Sequence, residues 1–315
     1  MTRFTGIWPA LVTPLTPEGA IDAEGAESLI EALIAAGIGG LYVCGGTGEG
    51  VLLRPAQRRE MAEVAIAAAA GRVPVMVHVG TTDTETAVEL AQHASLAGAD
   101  AVSAVPPFYY GYPFSAIKEH YRAIAEAASV PLYIYYIPGA TGVAMSAEQI
   151  LDICALDGVA GLKYTSEDLG VLGRLLALRD PERVTVLSGP DPLFLATCAM
   201  GVDGAIGTTY NFMPRLYIDI MGCVQAGNLE AARRLQHGAG ALIDVLRRYQ
   251  VLPGTKAILN TMGFRVGHCV PPMPRLSAEQ THALRQEMEA AGLTGLLRRR
   301  TLYGPDGDPM RGRLA

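Results

Sequence analysis

Val159-Ala-Gly-Leu-Lys163-Tyr-Thr-Ser166 is a short apolar run that ends in a lysine and hydroxyl residues. If the run is a β-strand, Lys163 shares one face with Gly161 and Thr165, because side chains alternate between the two faces of a strand. Burial there would disfavour the charged amine and lower its pKa, which makes a lysine nucleophilic toward a carbonyl. Alternatively, the stem covers apolar surface while the amine reaches water. Taken alone, Lys163 favours this second interpretation. The other motifs described below favour the first, a buried nucleophilic amine.

The other two lysines have ordinary surface interpretations. Lys118 lies in Ser115-Ala-Ile-Lys-Glu-His120, which is typical of an exposed helix face. Lys256 follows Pro253-Gly-Thr255, a pattern that indicates a helix start. We therefore expect both amines to be in contact with water and protonated at neutral pH.

Composition and charge exclude several classes of function for this chain. Half of the 315 residues are hydrophobic, enough to bury one large core. The net charge of -6 is modest and the signs are mixed, so a nucleic-acid-binding role has no electrostatic support. No apolar run is long enough for a bilayer and no signal-peptide pattern is present, so we expect a cytoplasmic protein. The five cysteines lack paired or metal-ligand spacing, which predicts reduced thiols and no metal site.

Short apolar runs alternate with alanine-rich amphipathic segments. The predicted strands are 7–12, 41–44, 73–79, 101–105, 132–136, 160–164, 184–187 and 204–206, and the predicted helices between them are 23–36, 56–70, 84–97, 115–128, 147–154, 169–178 and 192–200. Helical crossovers of this length require parallel strands. A closed (β/α)8 TIM barrel and a doubly wound open sheet share this alternation. We favour the α/β barrel because closure buries every strand on both faces.

More helical segments follow the eighth strand than one closing helix requires. They lie at about 214–226, 229–249, 255–262 and 278–290. We therefore predict a (β/α)8 barrel at residues 1–213 and a C-terminal helical bundle packed on it at residues 214–297. Residues 298–315 have turn-forming composition and little to bury, and we expect a mobile tail there.

The active site of such a barrel lies at the carboxyl ends of its strands. Those ends carry an amine, several phenols and several hydroxyls, but almost no formal charge. Besides the lysine motif, they are Gly45-Gly-Thr-Gly-Glu49, Pro106-Pro-Phe-Tyr-Tyr110, Tyr135-Tyr-Ile-Pro138, Ser188-Gly-Pro-Asp191 and Ile206-Gly-Thr-Thr-Tyr210.

Each of these motifs has a functional and a structural interpretation. The 45–50 loop has the wrong spacing for a dinucleotide site; its amides and the Thr47 hydroxyl suit a small carboxylate, although a tight turn also needs glycine. Tyr135 is either a proton carrier or a core aromatic residue. Asp191, which precedes Pro192, is either a substrate contact or a helix start.

Together, five motifs resemble the N-acetylneuraminate lyase and dihydrodipicolinate synthase superfamily, which consists of pyruvate-dependent class I aldolases. The motifs lie at 45–49, 100–110, 135–138, 161–166 and 204–211, and the resemblance runs from about residue 4 to residue 267. Any one motif alone is weak, whereas five in register are specific.

The resemblance implies roles for individual residues. Lys163 resembles the Schiff-base lysine and Tyr135 the proton-transferring tyrosine. Thr47, with the loop amides around Gly46, resembles the group that holds the substrate carboxylate. Tyr109 resembles the tyrosine that, in the synthase branch, is lent across a subunit interface to a proton relay.

The resemblance also implies substrate contacts and an assembly. Ile206 matches a pyruvate contact, and the positions that hold the hydroxylated chain in the sialic-acid branch correspond to Thr165, Gly189, Asp191 and Thr208. No cofactor is implied other than the covalent Schiff base at Lys163. The implied partners are pyruvate and an aldehyde, and the implied assembly is a homotetramer built from tight dimers.

Three departures from the family pattern bear on the substrate. Gly46 replaces the first hydroxyl residue of the carboxylate-binding loop, so one side-chain hydrogen bond is lost. Ala140 stands where the synthases generally carry an arginine for the second substrate's carboxylate, which disfavours dihydrodipicolinate synthesis. Pro192 replaces a glutamate of the sialic acid lyases, and a proline side chain accepts no hydrogen bond from a glycerol-like tail.

The sequence therefore predicts a neuraminate-lyase-like class I aldolase that cleaves or forms a 2-keto-3-deoxy sugar acid, with pyruvate and an aldehyde as the other species. A dehydratase of such an acid and a dihydrodipicolinate synthase are the enzymatic alternatives. A non-catalytic barrel that binds 2-keto acids is the alternative from another class, and Gly46 is its best support.

Overall fold

Eight parallel strands form one sheet in the computed structural model of the protein, which describes residues 4–292. The strands are β1 (Gly6–Pro9), β2 (Leu41–Val43), β3 (Val75–His78), β4 (Ala101–Ala104), β5 (Leu132–Tyr136), β6 (Val159–Tyr164), β7 (Thr185–Ser188) and β8 (Gly204–Gly207). Their order is β1-β8-β7-β6-β5-β4-β3-β2. A bridge between Ala10 and Tyr42 joins the two ends of the sheet, next to a 2.8 Å hydrogen bond from the Leu11 N–H to the Tyr42 carbonyl. The predicted TIM barrel is confirmed.

Helices connect the strands. They are α1 (Ala23–Ala35), α2 (Pro55–Ala69), α3 (Thr84–Ala97), α4 (Phe114–Ala127), α5 (Pro138–Thr141), α6 (Ala147–Cys154), α7 (Leu169–Leu178) and α8 (Phe194–Ala199), with 3-10 turns at Asp191–Leu193 and Thr209–Asn211. Local sequence sets their ends: Ser146 and Gln149 form a capping box at α6, and Gly98 ends α3 in the left-handed region. The sequence pattern does not predict the single turn α5.

Four helices follow β8. They are α9 (Pro214–Gln225), α10 (Leu229–Arg248), α11 (Val251–Thr261) and α12 (Ala278–Ala290). α9 packs against β1 and α10, and α10 also contacts α8, α11 and α12. The domain boundary between residues 213 and 214 stays a prediction, and the predicted tail at 298–315 lies outside the described residues.

Side chains of the strands alternate between the barrel interior and the layer beneath the helices. Trp8, Tyr42, Tyr133 and Ile206 belong to one buried cluster, which is the interior. A β-carbon placed on Gly161 would lie 2.1 Å from the Thr185 carbonyl oxygen and 2.9 Å from the Tyr133 ring, so only glycine fits there. β6 therefore presents a small residue two positions before its lysine, as the alternation predicted.

The structure also bears on membrane and metal binding. Within residues 4–292, no helix is both long and apolar enough to cross a membrane. The same residues include no group of three His, Cys, Asp or Glu side chains that could hold a metal ion. All five cysteines are free.

Lys256 is buried, which makes the expected surface position wrong. Its side chain lies on α11, and its Nζ pairs with Glu49 Oε1 at 2.6 Å. The prediction failed because α11 begins at Val251, which turns Lys256 inward, and because its partner is distant in sequence. Lys118, on α4, is partly exposed and pairs with Asp152 at 2.7 Å.

Candidate active site

Lys163 lies near the carboxyl end of β6, inside the barrel and only 4% exposed. Its Nζ is 4.5 Å from the centre of the Tyr42 ring and 4.2 Å from the centre of the Tyr135 ring. Burial lowers the pKa of Lys163 to about 7, although the negative charge of Asp191 opposes the shift. A substantial fraction of the amine is therefore neutral at neutral pH and able to attack a carbonyl carbon.

Tyr135 lies on β5 directly opposite Lys163 in the strand register. Burial raises the pKa of Tyr135 to about 12, an effect that the Thr165 hydroxyl opposes and that Asp191 increases. The phenol is therefore protonated at rest. Its position beside the amine allows it to give a proton and take one back as bonds to that amine form and break.

Tyr42 and His78 complete the aromatic wall around the amine, and sequence reasoning missed both. The Tyr135 ring makes edge contacts with Tyr42 at 5.9 Å and with His78 at 5.7 Å between ring centres. Tyr42 Oη lies 3.2 Å from the Ser103 hydroxyl. The alternation of residues 41–44 and of residues 75–79 could have indicated that Tyr42 and His78 face the interior.

His78 is held neutral. Its Nε2 accepts a 3.3 Å hydrogen bond from the Val105 N–H, so Nδ1 carries the proton and donates to the Cys44 carbonyl at 3.2 Å. Burial, and then the positive charges of Arg58 and Lys163, hold the pKa of His78 well below its usual range. The imidazole therefore adds no charge beside the amine.

Arg58 holds the backbone of the strand that carries His78. The guanidinium is buried and donates to the carbonyls of His78 at 2.7 Å and Gly80 at 3.1 Å. These two carbonyls lie at the end of β3, so Arg58 fixes the backbone that carries the imidazole. No sequence signal indicates this role, because Arg58 falls in an ordinary amphipathic helix pattern.

The 45–50 loop follows β2 and lies against the phenol of Tyr135. A β-carbon placed on Gly46 would be 3.8 Å from Tyr135 Oη, an ordinary contact distance. A β-carbon on Gly50 would instead lie 1.8 Å from the Cys44 carbonyl oxygen, so only glycine fits there. Thr47 is nearly buried, and its Oγ1 lies 2.7 Å from Oγ1 of Thr208. The structure thus brings the two predicted threonines together.

Asp191 joins the ends of β7 and β8. Its Oδ2 accepts from the Thr209 N–H at 2.8 Å and from the Thr209 hydroxyl at 2.7 Å. Burial raises the pKa of Asp191, and the hydrogen bonds from Thr209 oppose the shift. The side chain does not cap the turn it begins, so the helix-start interpretation does not explain the residue. A β-carbon on Gly207 would lie 2.2 Å from Oδ1, so glycine there admits the carboxylate.

Thr165 and Gly189 lie side by side where β6 and β7 end. A β-carbon on Gly189 would be 1.8 Å from the Thr165 hydroxyl oxygen, which no real structure tolerates. Within the described residues, that buried oxygen makes no hydrogen bond of ordinary geometry. Apart from its interaction with the Tyr135 phenol, the hydroxyl is therefore available to a bound molecule.

Tyr109 and Ile206 occupy contrasting positions. Ile206 on β8 is fully buried in the interior cluster that includes Tyr135. Tyr109 is 84% exposed, has a backbone φ of 83°, and makes an edge contact with the Tyr110 ring at 5.0 Å. Both tyrosines line a cavity of about 600 Å³ that Ala140 on α5 also lines.

The chain is similar to known proteins over most of its length. The model of the dihydrodipicolinate synthetase family matches residues 3–291. An N-acetylneuraminate lyase from Rhizobium meliloti is 37% identical, over 90% of this chain and 94% of that one. The solved structure of CdNal from Clostridium difficile in complex with mannosamine superposes with a TM-score of 0.88 at 30% identity, covering 92% of this chain and all of that one. YagE from Escherichia coli K12, solved in complex with pyruvate, superposes with a TM-score of 0.87 at 26% identity, covering 92% and 99%.

Proposed function

We propose that Lys163 forms the Schiff base with a 2-keto acid in this chain, which belongs to the dihydrodipicolinate synthetase family and is a neuraminate-lyase-like class I aldolase. The observation that carries the proposal is the pairing of a buried amine, whose pKa is lowered to about 7, with the phenol of Tyr135 on the adjacent strand. No cofactor is needed, because the covalent imine itself withdraws electrons.

The reaction follows from this pair. Lys163 Nζ attacks the C2 carbonyl carbon, and water leaves to give an iminium ion. Tyr135 supplies the proton that the departing water requires. The phenolate then takes the proton of the C4 hydroxyl while the C3–C4 bond breaks, its electron pair flowing into the iminium to form an enamine and release an aldehyde. The reprotonated phenol then gives a proton to C3, and hydrolysis of the resulting iminium releases pyruvate, returns a proton to the phenolate and restores the amine.

The remaining rim residues bind substrate. The Thr47 hydroxyl and the amides near Gly46 hold the carboxylate, and Ile206 contacts the pyruvate portion. The hydroxylated chain is held by residues at the ends of β6, β7 and β8, namely Thr165, Gly189, Asp191 and Thr208. The buried hydroxyl of Thr165 supports this assignment, since it lies near the Tyr135 phenol and makes no hydrogen bond of ordinary geometry within the described residues.

We propose further that the protein is a cytoplasmic homotetramer built from tight dimers, in which Tyr109 reaches into the site of the neighbouring subunit. The high exposure of Tyr109 supports this placement, since a phenol exposed in one chain is available to another. The division into a barrel at 1–213 and a helical bundle at 214–297 belongs to the same proposal.

Reductive trapping tests the Schiff base. Borohydride with pyruvate should add one reduced adduct per chain, at Lys163, because Lys118 and Lys256 are each paired with a carboxylate. Peptide mapping by mass spectrometry locates the adduct. An unmodified Lys163 peptide would overturn the mechanism. An adduct without exchange of the pyruvate methyl protons into deuterated water would indicate a binding protein rather than an enzyme.

Substrate choice is tested by kcat/KM, in which discrimination between substrates resides. A short 2-keto-3-deoxy sugar acid should be cleaved better than N-acetylneuraminate, because Pro192 offers no acceptor to the longer tail. Condensation with aspartate semialdehyde should be poorest: Ala140 cannot bind a carboxylate, and a lost hydrogen bond to a charged group costs about 1.5–3 kcal/mol. Faster dihydrodipicolinate formation would show that Ala140 is misread, and a dehydrated keto acid without pyruvate would identify a dehydratase.

A further inference from the structure

Glu49 is a buried acid in the same loop as Thr47. The side chain has no exposed surface, and its Oε1 lies 2.6 Å from Lys256 Nζ. Its Oε2 accepts a short hydrogen bond from the Val270 N–H. Both partners belong to the segment of the chain that follows the barrel. The two carboxylate oxygens therefore link the loop after β2 to the C-terminal region.

The backbone of Glu49 indicates that the side chain, not the turn, requires this residue. Its φ is 58°, in the left-handed region where a β-carbon is strained and glycine is not. The loop already has glycine at 45, 46, 48 and 50. A glutamate kept in a conformation suited to glycine indicates that the contacts of its carboxylate outweigh the strain.

The hydrogen bonds of the loop transmit the position of Glu49 to Thr47. The Glu49 N–H donates to the Gly46 carbonyl at 3.1 Å, and the Gly50 N–H donates to the Gly45 carbonyl at 3.0 Å. These two bonds close the turn on both sides of Thr47. A shift of the Glu49 side chain would therefore move the hydroxyl and the neighbouring amides.

Lys256 is held as firmly as its partner. Lys256 is only 1% exposed, and its Nζ also donates to the His268 carbonyl at 2.9 Å. Helix α11 and residues 268–270 thus fix the amine from two sides. A buried pair with fixed partners has one geometry, which suits positioning.

We infer that Glu49 and Lys256 are positioning residues, whose ion pair holds the Thr47 loop where it can bind the substrate carboxylate. The inference rests on the proposed function of the loop. The C-terminal region would then set affinity for the 2-keto acid without touching it.

Three variants test the pair: Glu49→Gln, Lys256→Met and the double variant. The readout is the pyruvate concentration that gives half-maximal borohydride trapping at Lys163, measured beside the melting temperature. In each single variant this concentration should rise about ten- to hundredfold, the size expected when a binding group is displaced by about 1 Å. The maximal extent of trapping should stay complete, because the amine itself is untouched.

Asp203→Asn is the matched control. Asp203 forms a comparably buried ion pair with Arg179, but it precedes β8 and therefore lies at the opposite end of the barrel. The substitution also removes one charge of a buried pair and should lower the melting temperature. It should leave the half-saturating pyruvate concentration unchanged.

The double variant separates positioning from stability. It leaves no uncompensated charge at positions 49 and 256, so its melting temperature should recover relative to Lys256→Met. Its half-saturating concentration should remain high, because the bond that holds the loop is still missing. A return to the wild-type concentration, or single variants that trap like wild type, would overturn the inference. Absence of trapping in the wild-type protein would instead overturn the proposed function on which the inference rests.

Discussion

At the scale of a single residue, the lowered pKa of Lys163 is a property of its surroundings. Two aromatic rings and the strand backbone exclude water from the amine, and the carboxylate of Asp191 only partly compensates. Lysine has a pKa of about 10.4 when solvated, so its nucleophilicity in this protein depends on burial. The pH dependence of adduct formation is therefore a direct measure of the fold around this residue.

We expect the rate of adduct formation at subsaturating pyruvate to rise about tenfold between pH 6 and pH 8 and then level off. The sign follows from the reacting species: only the neutral amine attacks, and its fraction increases as pH passes the lowered pKa of about 7. Cyanoborohydride trapping measures this rate over the whole range. A rate that still rises steeply above pH 9 would contradict the lowered pKa.

Gly46→Ser should strengthen binding of the 2-keto acid. The added β-carbon would lie 3.8 Å from Tyr135 Oη, so the side chain fits without displacing the phenol. Its hydroxyl would supply the carboxylate contact that the family pattern has and this chain lacks, worth about 1.5–3 kcal/mol for a charged hydrogen bond. The expected result is at least a tenfold lower half-saturating pyruvate concentration. Gly46→Ala, which adds the carbon without the hydroxyl, should leave it unchanged.

At the scale of secondary-structure elements, the close approach of β6 and β7 shapes the rim. Gly189→Ala would place a carbon 1.8 Å from the Thr165 hydroxyl oxygen and force the two strand ends apart. We expect a loss of kcat/KM of about a hundredfold, as displacements near 1 Å can cause, with a lowered melting temperature. Gly46→Ala is the control, because its added carbon would meet only the Tyr135 hydroxyl, at an ordinary contact distance of 3.8 Å. Equal effects of the two variants would contradict this account.

The elements themselves were largely predictable, because barrel strands are buried on both faces and read as apolar runs bounded by helices. Alternation along 159–166 correctly placed Lys163 and Gly161 on one face. What the sequence could not predict were pairings between distant segments. Lys256 was assigned to the surface because nothing near it in sequence indicates Glu49, and Arg58 appeared to be an ordinary residue of an amphipathic helix. The short helix α5 was missed because Pro138-Gly-Ala-Thr141 is typical of a turn.

At the scale of the whole molecule, the proposed role of Tyr109 can be tested by complementation between subunits. Lys163→Arg should be inactive, because a guanidinium does not become a neutral nucleophile. Tyr109→Phe should lower kcat about a hundredfold or more, as loss of a proton carrier does. Co-expressed in equal amounts, the two variants should form mixed dimers in which one site combines an intact Lys163 with the partner's intact phenol.

Random pairing gives about a quarter of wild-type activity in that experiment, since half of the dimers are mixed and each contains one complete site. If Tyr109 acts within its own chain, every site with Lys163 still lacks the phenol hydroxyl, and mixing restores nothing. Light scattering on the same samples measures the assembly. A monomer at assay concentration would contradict the proposed sharing.

The 2.7 Å bond between the hydroxyls of Thr47 and Thr208 has a direction as well as a length. Each hydroxyl owns one proton. In the proposed complex, Thr47 donates its hydrogen bond to the substrate carboxylate and therefore accepts the one from Thr208. The Thr208 hydroxyl then has only a lone pair left for the substrate. A carboxylate bound in this way would set the polarity of a contact on the far side of β1: a substrate hydroxyl would satisfy Thr208, whereas an ether or carbonyl oxygen in the same place would face a lone pair.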